Sequence, residues 1–244
     1  MSNLPTIKNS SVSMGALDIG SIIRPINCVL TQATSKVPDN EKGKFKFSTG
    51  ELRDELKQVV VLAVQPSRVL YGKVLGGDPR CASDDGVHIA KRIKDPVHAG
   101  CNGCPMAQWE LNPEKTKMSI ELGKVIKPAP LCRNQYMLLI LDQGSLVPYW
   151  LAVHDAQMKT VQQQLLTGAL HRGCTETFMV AVDIKITTKT GKGNAWHEVY
   201  FSNMTKLEDF THYQEMAMRY VAKHTELMDQ EFSERAEAKD DIPF

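Results

Sequence analysis

Four of the six cysteines fall within 52 residues, in the pattern C-x19-C-x2-C-x27-C. They are Cys81, Cys101, Cys104 and Cys132. The segment from Cys101 to Cys104 includes a glycine and places two thiolates on one tight turn, where both can reach a single tetrahedral ion. Two more thiolates would close a four-sulfur shell that leaves no ligand position for water. The pattern therefore predicts a structural Zn²⁺ site and not a hydrolytic one.

Other interpretations of the cysteines stay open at this level. His88 or His98 could replace one sulfur, an iron–sulfur cluster could use the same four thiolates, and the C-x2-C pair could be a redox pair. Cys28 and Cys174 lie in apolar or turn surroundings without near partners. They are interpreted as small structural residues.

Basic and aromatic residues recur together elsewhere in the chain. Cations that meet phosphates and aromatic faces that stack on bases are the two requirements of single-strand nucleic-acid binding. In an alternating strand Tyr71 and Lys73 share a face, as do Trp196 and Tyr200. The predicted contacts are Arg68, Tyr71, Lys73, Tyr149, Trp150, Lys185, Lys189, Lys192, Trp196 and Tyr200.

Strands and hairpins must position these residues. Residues 58–75 are rich in β-branched side chains, and residues 177–187 alternate between apolar and polar positions, so both predict strands. Two hairpins are predicted, one joining 135–142 to 147–153 and one joining 177–187 to 196–201. An amphipathic helix is predicted over residues 157–170, and the lysine-rich stretch 36–49 is interpreted as loop.

Together these elements predict a mainly β protein with some helix, of the α+β class. A small antiparallel barrel of the oligonucleotide-binding type fits the pattern, and a split α+β sandwich fits almost as well. The predicted organisation is a flexible arm (1–15), a barrel domain (16–205) with a metal-binding insertion (76–134), a long C-terminal helix (206–235) and an acidic tip (236–244).

The composition places further limits on function. The chain has 244 residues, of which 42% are hydrophobic, and its longest apolar runs are far shorter than a bilayer span. We therefore expect a soluble cytoplasmic protein with no membrane partner. Residues 221–244 contain three basic and seven acidic residues, whereas the preceding residues contain 26 basic and 21 acidic ones. This split predicts a polyanion-binding body with an acidic extremity.

The last five residues are Asp240, Asp241, Ile242, Pro243 and Phe244, two acids followed by an apolar segment with a terminal carboxylate. This end resembles the acidic tip of bacterial single-stranded DNA-binding proteins. The resemblance implies that the phenylalanine fills an apolar pocket on replication, recombination or repair proteins. It also implies that the carboxylates meet basic groups around that pocket.

The cysteine-rich segment resembles phage and plasmid proteins with a cysteine-rich insertion, and the T4-type phage helix-destabilising proteins share the plan of barrel, metal insertion and acidic C-terminus. The chain departs from the bacterial family, whose members have a smaller barrel without cysteine ligands and a long linker rich in glycine, proline and glutamine. The resemblance implies a non-enzymatic protein that coats single-stranded DNA in a bacterial host cell or nucleoid, and it leaves homo-oligomerisation open.

Two alternative functions are retained. One is a zinc-stabilised adaptor, such as a recombination or transcription accessory protein, that does not bind DNA tightly. The other is a metal-dependent nuclease using Asp78, Asp84, Asp85 and Asp95, although acidic residues in a polar loop are usually only solvated. Neither a complete phosphate-binding loop nor a His-Glu-x-x-His motif occurs in the sequence.

Overall fold

The computed structural model of this chain describes residues 25–32, 37–71, 79–108, 130–154, 157–191 and 194–240, with backbone alone for residues 194, 225 and 227–240. The predictions for residues 1–15, Asp78, Lys73, Lys192 and residues 241–244 lie outside this description, as does the side chain of Asp240.

The described residues form one curled sheet. Its strands are β1 (Ile26–Leu30), β2 (Phe45–Phe47), β3 (Leu52–Arg53), β4 (Glu55–Tyr71), β5 (Pro79–Ser83), β6 (Arg133–Leu141), β7 (Pro148–His154), β8 (Val180–Gly191) and β9 (Asn194–Lys206). Their order is β3-β2-β1-β7-β6-β4-β8-β9, with β5 paired to β4. The paired strands are antiparallel except β1 and β7. The sheet forms a half-barrel, so the predicted mainly β, α+β class is confirmed.

Helical segments cover both faces of the sheet. They are α1 (Gln157–Thr160), a π-helical stretch (Val161–Leu166), α2 (Thr167–Leu170) and α3 (Thr211–Asp240), with 3-10 turns at Pro105–Ala107 and Thr177–Met179. Val161 and Leu165 pack into the core on one face of the sheet. Met216 and Tyr220 of α3 pack into a second core on the other face. None of the helices in the described ranges is long and apolar enough to cross a membrane.

The strand β4 is central because both of its faces are buried in its middle. Val59 and Val61 belong to the core beneath the π-helical stretch, whereas Val60 and Leu62 belong to the core beneath α3. A strand covered on both sides can be apolar at every position, which explains its continuous run of β-branched residues.

The carboxylate of Asp183 in β8 connects two strand irregularities, one in each of the neighbouring strands β4 and β9. Gln58 of β4 and Asn203 of β9 have φ values of 47° and 49°, and the strand registers shift beside both residues. The Asp183 carboxylate accepts hydrogen bonds from the Gln58 backbone N–H (2.8 Å) and from Asn203 Nδ2 (2.7 Å). Since a bulge bends its strand and increases the local twist, this pair contributes to the curl of the sheet.

The free edge of β9 is bound by glutamine side chains. Gln32 accepts a hydrogen bond from the His197 backbone N–H and donates one to the His197 carbonyl, both at 3.0 Å. Gln157 accepts a hydrogen bond from the Val199 backbone N–H at 3.2 Å. These bonds satisfy backbone groups that an exposed edge strand would offer to another chain, and they hold the β8–β9 hairpin in place.

Both predicted hairpins are confirmed, since β6 pairs with β7 and β8 pairs with β9. The helical prediction for residues 157–170 is also confirmed, with a π-helical middle that the sequence pattern does not distinguish. The loop prediction for residues 36–49 is wrong in part, because β2 lies within it. β2 has only three residues and one of them is a lysine, so its apolar pattern is too short to recognise.

Candidate cysteine centre and nucleic-acid face

The far end of β4 brings two of the four cysteines onto one face of the sheet. Leu70 of β4 lies directly opposite Cys81 of β5, and Val69 lies opposite Arg133 of β6. Cys132 precedes Arg133 and therefore lies next to Leu70 in the same row. Because opposed residues of antiparallel strands share a face, Cys81 and Cys132 project to the same side as Leu70.

The other two cysteines lie on a turn against this face. The Cys104 backbone N–H donates to the Cys101 carbonyl at 3.4 Å, and Gly103 between them has a φ of 73°, which glycine adopts without a steric penalty. The Cys132 backbone N–H donates to the Met106 carbonyl at 2.8 Å. The turn is thereby tied to the residue that precedes β6.

All four predicted cysteine ligands line one small cavity, together with Arg68 and His98. The cavity volume is about 10 Å³, which is about the room that one water molecule or ion needs. All four thiols are free, and three are buried while Cys81 is partly exposed. This donor set fits one thiophilic cation such as Zn²⁺.

The thiols influence one another electrostatically. Burial, followed by the three neighbouring thiols, raises the pKa of the Cys132 thiol to about 11. Burial also raises the pKa of the Cys101 thiol, while a hydrogen bond with the Ser83 side chain and the charge of Arg68 oppose that rise. A bound cation would displace protons from these thiols, as metal binding to cysteine requires.

Among the described residues, no group of three or more His, Cys, Asp or Glu side chains is arranged around a metal position. The four thiols share the walls of the cavity, and binding of a cation would require them to turn towards its centre. His98 lines the same cavity, and its Nδ1 lies 2.8 Å from the Gly100 carbonyl oxygen, so Nε2 is the nitrogen left for a metal. His88 instead is exposed and contacts Asp85 at 2.6 Å.

The remaining two cysteines lie in apolar clusters away from this cavity. Cys28 belongs to the core beneath the π-helical stretch, and Cys174 belongs to a small cluster with Ala169 and Val180. Burial raises the pKa of the Cys28 thiol to about 12. Both residues are packed as the structural interpretation expects.

The β8–β9 hairpin carries cross-strand pairs of lysine and aromatic residues on one face. Lys189 lies opposite Trp196, and Lys185 lies opposite Tyr200. Trp196 is 40% exposed and Tyr200 is 46% exposed. Lys185 also lies 4.0 Å from Glu55 of β4. Paired residues share a face, so these four side chains form one surface, which we call the hairpin face.

The indole ring of Trp196 is held in position from two sides. Its Nε1–H donates to Glu198 Oε1 at 2.7 Å. Gly191 lies so close to the ring that a Cβ atom there would come within 3.2 Å of it. Sequence reasoning missed Glu198, although its alternation with Trp196 and Tyr200 already placed it on the hairpin face.

Tyr149 and Trp150 do not belong to an exposed surface, so their prediction as base-stacking residues is wrong. They are only 1% and 2% exposed. Tyr149 packs against Phe47 with ring centroids 5.1 Å apart, and Trp150 packs against His224 of α3 at 4.7 Å. Tyr149 belongs to the core beneath the π-helical stretch and Trp150 belongs to the core beneath α3, so both faces of β7 are covered.

Arg68 and Tyr71 lie at the opposite end of β4 from the hairpin face. Lys185 pairs with Glu55 at the start of this strand, and Tyr71 is its last residue. Arg68 and Tyr71 therefore lie 13 and 16 residues after Glu55 along the same strand. Tyr71 is 50% exposed, whereas Arg68 lines the cysteine cavity. The predicted nucleic-acid contacts therefore form two separate groups.

The acidic residues considered for a nuclease have structural partners. Asp84 forms two hydrogen bonds of 2.6 Å with Arg92 in a pair whose side chains are both 7% exposed. Asp85 accepts hydrogen bonds from the backbone N–H groups of Val87 and His88 at 2.8 Å and 2.7 Å. Asp95 is exposed. The contacts of Asp84 and Asp85 organise the loop that leads from β5 towards the cysteine turn.

Comparison with known proteins does not assign this chain to a family. No protein-family model matches the sequence, and neither a curated protein nor a solved structure matches it.

Proposed function

We propose that this protein binds single-stranded DNA without enzymatic activity, in replication, recombination or repair. The observation that carries the proposal is the hairpin face, where Lys185 and Lys189 lie opposite the exposed rings of Tyr200 and Trp196. Lysines can neutralise phosphates while the neighbouring rings stack on bases, and stacking tolerates any base sequence.

The hairpin face is suited to this role because its aromatic rings are exposed on a rigid support. The opposite side of the same hairpin packs Ile184, Val199 and Phe201 into the core. Trp196 is held by Glu198 and by its close approach to Gly191. Binding then orders few additional groups, which limits its entropic cost.

The proposal includes a structural Zn²⁺ at Cys81, Cys101, Cys104 and Cys132. These residues come from β5, from one turn and from the position just before β6, so one ion would connect three segments of the insertion. When bound, the ion supplies coordinate bonds in place of a hydrophobic core. The oligonucleotide-binding type of barrel and recruitment of partner proteins by the C-terminal tip, from Asp240 to Phe244, belong to the same proposal.

Fluorescence anisotropy of a labelled single strand of about 30 nucleotides, compared with its duplex across a salt series, tests the function. We expect tight binding selective for the single strand, with a negative slope of log affinity against log salt. The double variant Trp196→Ala/Tyr200→Ala should lose about 2–6 kcal/mol of binding free energy, at about 1–3 kcal/mol per stacked base.

Met218→Ala is the matched control, because Met218 is an exposed apolar residue on α3. It should bind as the wild-type protein does. Equal weak binding to single strand and duplex would contradict the proposal and leave the zinc-stabilised adaptor as the better account. Unchanged affinity in the double variant would show that the hairpin face is not the contact surface.

A further inference from the structure

Arg68 contacts the turn that carries Cys101 and Cys104. It lies on β4 two residues before Leu70, on the face that Cys81 and Cys132 share. Its Nη1 donates a hydrogen bond to the Cys101 carbonyl oxygen at 3.2 Å. It also lines the cavity together with all four thiols. Thus the guanidinium contacts the cysteine turn while it belongs to the strand beneath that turn.

A metal bound by four thiolates would be negatively charged, and the Arg68 guanidinium lies where it can offset that charge. Four thiolates around one divalent cation carry a net charge of −2, and Cys101, Cys104 and Cys132 are buried in this structure. An uncompensated charge is costly to bury. A guanidinium is always protonated and donates several hydrogen bonds, so it can offset part of that charge at a fixed position.

A second polar side chain lies on the same face of the sheet. Ser83 lies directly opposite Arg68 on β5, so its side chain projects from the face that carries Arg68. The Ser83 hydroxyl donates to Asp85 Oδ1 at 3.0 Å, so its proton is engaged by the loop that follows β5. Arg68 therefore supplies the hydrogen bond from this face to the turn of Cys101 and Cys104, as expected of a group that surrounds and orients metal ligands.

We propose that Arg68 is a positioning residue and counter-charge for a metal bound by the four cysteines, and not a DNA contact. This inference rests on the proposed metal centre. It assigns Arg68 differently from the nucleic-acid prediction made from its residue type and its sequence neighbours Tyr71 and Lys73. Its position explains the assignment, because Arg68 faces the cysteine cavity and lies far from the hairpin face.

The test compares the full-length wild-type protein with Arg68→Gln, Arg68→Lys and Arg172→Gln. Arg172 is the matched control, since it also donates hydrogen bonds to backbone carbonyls but lies on the segment after α2. Each protein is loaded with Zn²⁺, its zinc content is measured by elemental analysis, and zinc transfer to an excess of a chromogenic chelator is followed. Circular dichroism confirms that each variant is folded.

We expect one bound zinc in the wild-type protein and a 10- to 100-fold loss of zinc affinity in Arg68→Gln, the range typical for residues that support metal ligands. Arg68→Lys should recover part of this loss because it keeps the positive charge, and Arg172→Gln should match the wild type. In zinc-loaded Arg68→Gln, the salt slope of single-strand binding should equal that of the wild type, whereas loss of a phosphate contact would reduce it by about one.

The outcomes separate the two proposals. A wild-type protein that binds no zinc overturns the metal centre, and with it the role of Arg68. Zinc bound equally by wild type and Arg68→Gln overturns the role of Arg68 alone. A salt slope reduced by about one in Arg68→Gln would instead assign this residue to the DNA. The zinc measurements do not depend on DNA binding, so they remain decisive if the protein binds no DNA.

Discussion

The roles of individual residues in this protein depend on burial more than on residue type. Trp150 and Trp196 are both tryptophans on the second strand of an antiparallel pair, yet one is 2% exposed and packs on His224 while the other is 40% exposed. Arg68 and Lys185 are both cations on neighbouring strands, yet only Arg68 lines the cysteine cavity. Residue chemistry alone therefore could not separate buried core residues, residues that line the cysteine cavity and exposed residues.

Asp183 gives a prediction at this scale. Burial raises the pKa of its carboxyl, but hydrogen bonds from Gln58 and Asn203 and the charge of Lys185 together hold that pKa below its ordinary value. The carboxylate also supports the positive φ of Gln58. Asp183→Ala should lower the free energy of unfolding by about 2–3 kcal/mol, as measured by urea denaturation at pH 7.

Asp183→Asn is the control, since it keeps one oxygen acceptor for Gln58 but loses the charge and the oxygen that accepts from Asn203 Nδ2. It should be less destabilising than Asp183→Ala. The stabilisation by the ionised carboxyl is present above the unfolded-state pKa of about 3.9 and is lost as pH falls through the lower folded-state value. If Asp183→Ala unfolded at the same urea concentration as the wild type, the bulges at Gln58 and Asn203 would not need the carboxylate.

At the scale of elements, α3 joins the sheet to the cysteine-rich insertion. Its first turns pack Met216 and Tyr220 on the sheet. Further along, His224 is buried against the Trp150 ring and lies near the Asp84–Arg92 ion pair of the insertion. A single helix face thus contacts two parts of the protein that are distant in sequence.

The buried imidazole makes the docking of α3 sensitive to pH. Burial and the charge of Arg92 lower the pKa of His224, and Asp84 opposes this effect only in part. The unfolded chain therefore binds more protons than the folded one as pH falls below about 6.5, so stability should decrease on acidification. The melting temperature of the wild type should fall between pH 8 and pH 5.5 by more than that of His224→Phe.

Phenylalanine keeps an aromatic ring against Trp150 and removes the titrating group. The difference between the two profiles of melting temperature against pH therefore isolates the contribution of His224. Parallel profiles for wild type and His224→Phe would mean that the helix docks independently of this histidine.

At the scale of the whole molecule, charge is divided between a basic body and an acidic end. Residues 221–244 carry seven acidic and three basic residues, and this stretch begins where α3 is still packed on the sheet. We propose that the acidic end lies against the basic surface in the free protein and that bound DNA displaces it. Opposite charges attract over a range that salt shortens, to about 8 Å at physiological ionic strength.

Removal of residues 236–244 tests this competition. The shortened protein should bind a labelled single strand several-fold more tightly at low salt, and the two proteins should converge at high salt. Anisotropy titrations across a salt series measure both effects. A full-length variant with Asp240→Asn and Asp241→Asn keeps the length and should behave like the shortened protein. Identical affinities and salt slopes for all three proteins would exclude competition by the tail.

Local periodicity was sufficient for elements that alternate over many residues. Residues 177–187 predicted most of β8 because their apolar and polar side chains alternate, although the structure buries Val180 to Ile184 on both sides of the strand. The short strands β1 to β3 were not recognised, since two to five residues give too few positions to establish a period. Their pairing depends on β7, which lies more than 90 residues later in the chain.

The cysteine spacing and the alternation of β8 and β9 are properties of the sequence by itself, and they were enough to select the four thiols and the hairpin as the places to examine. Only the tertiary structure decided that both faces of β7 pack into cores, which removes Tyr149 and Trp150 from any ligand surface, and that Arg68 faces the cysteines. The physical reason is that the burial of a side chain, and what lies opposite it, depend on strand register and on which strands become neighbours. Those are long-range contacts, and no local pattern contains them.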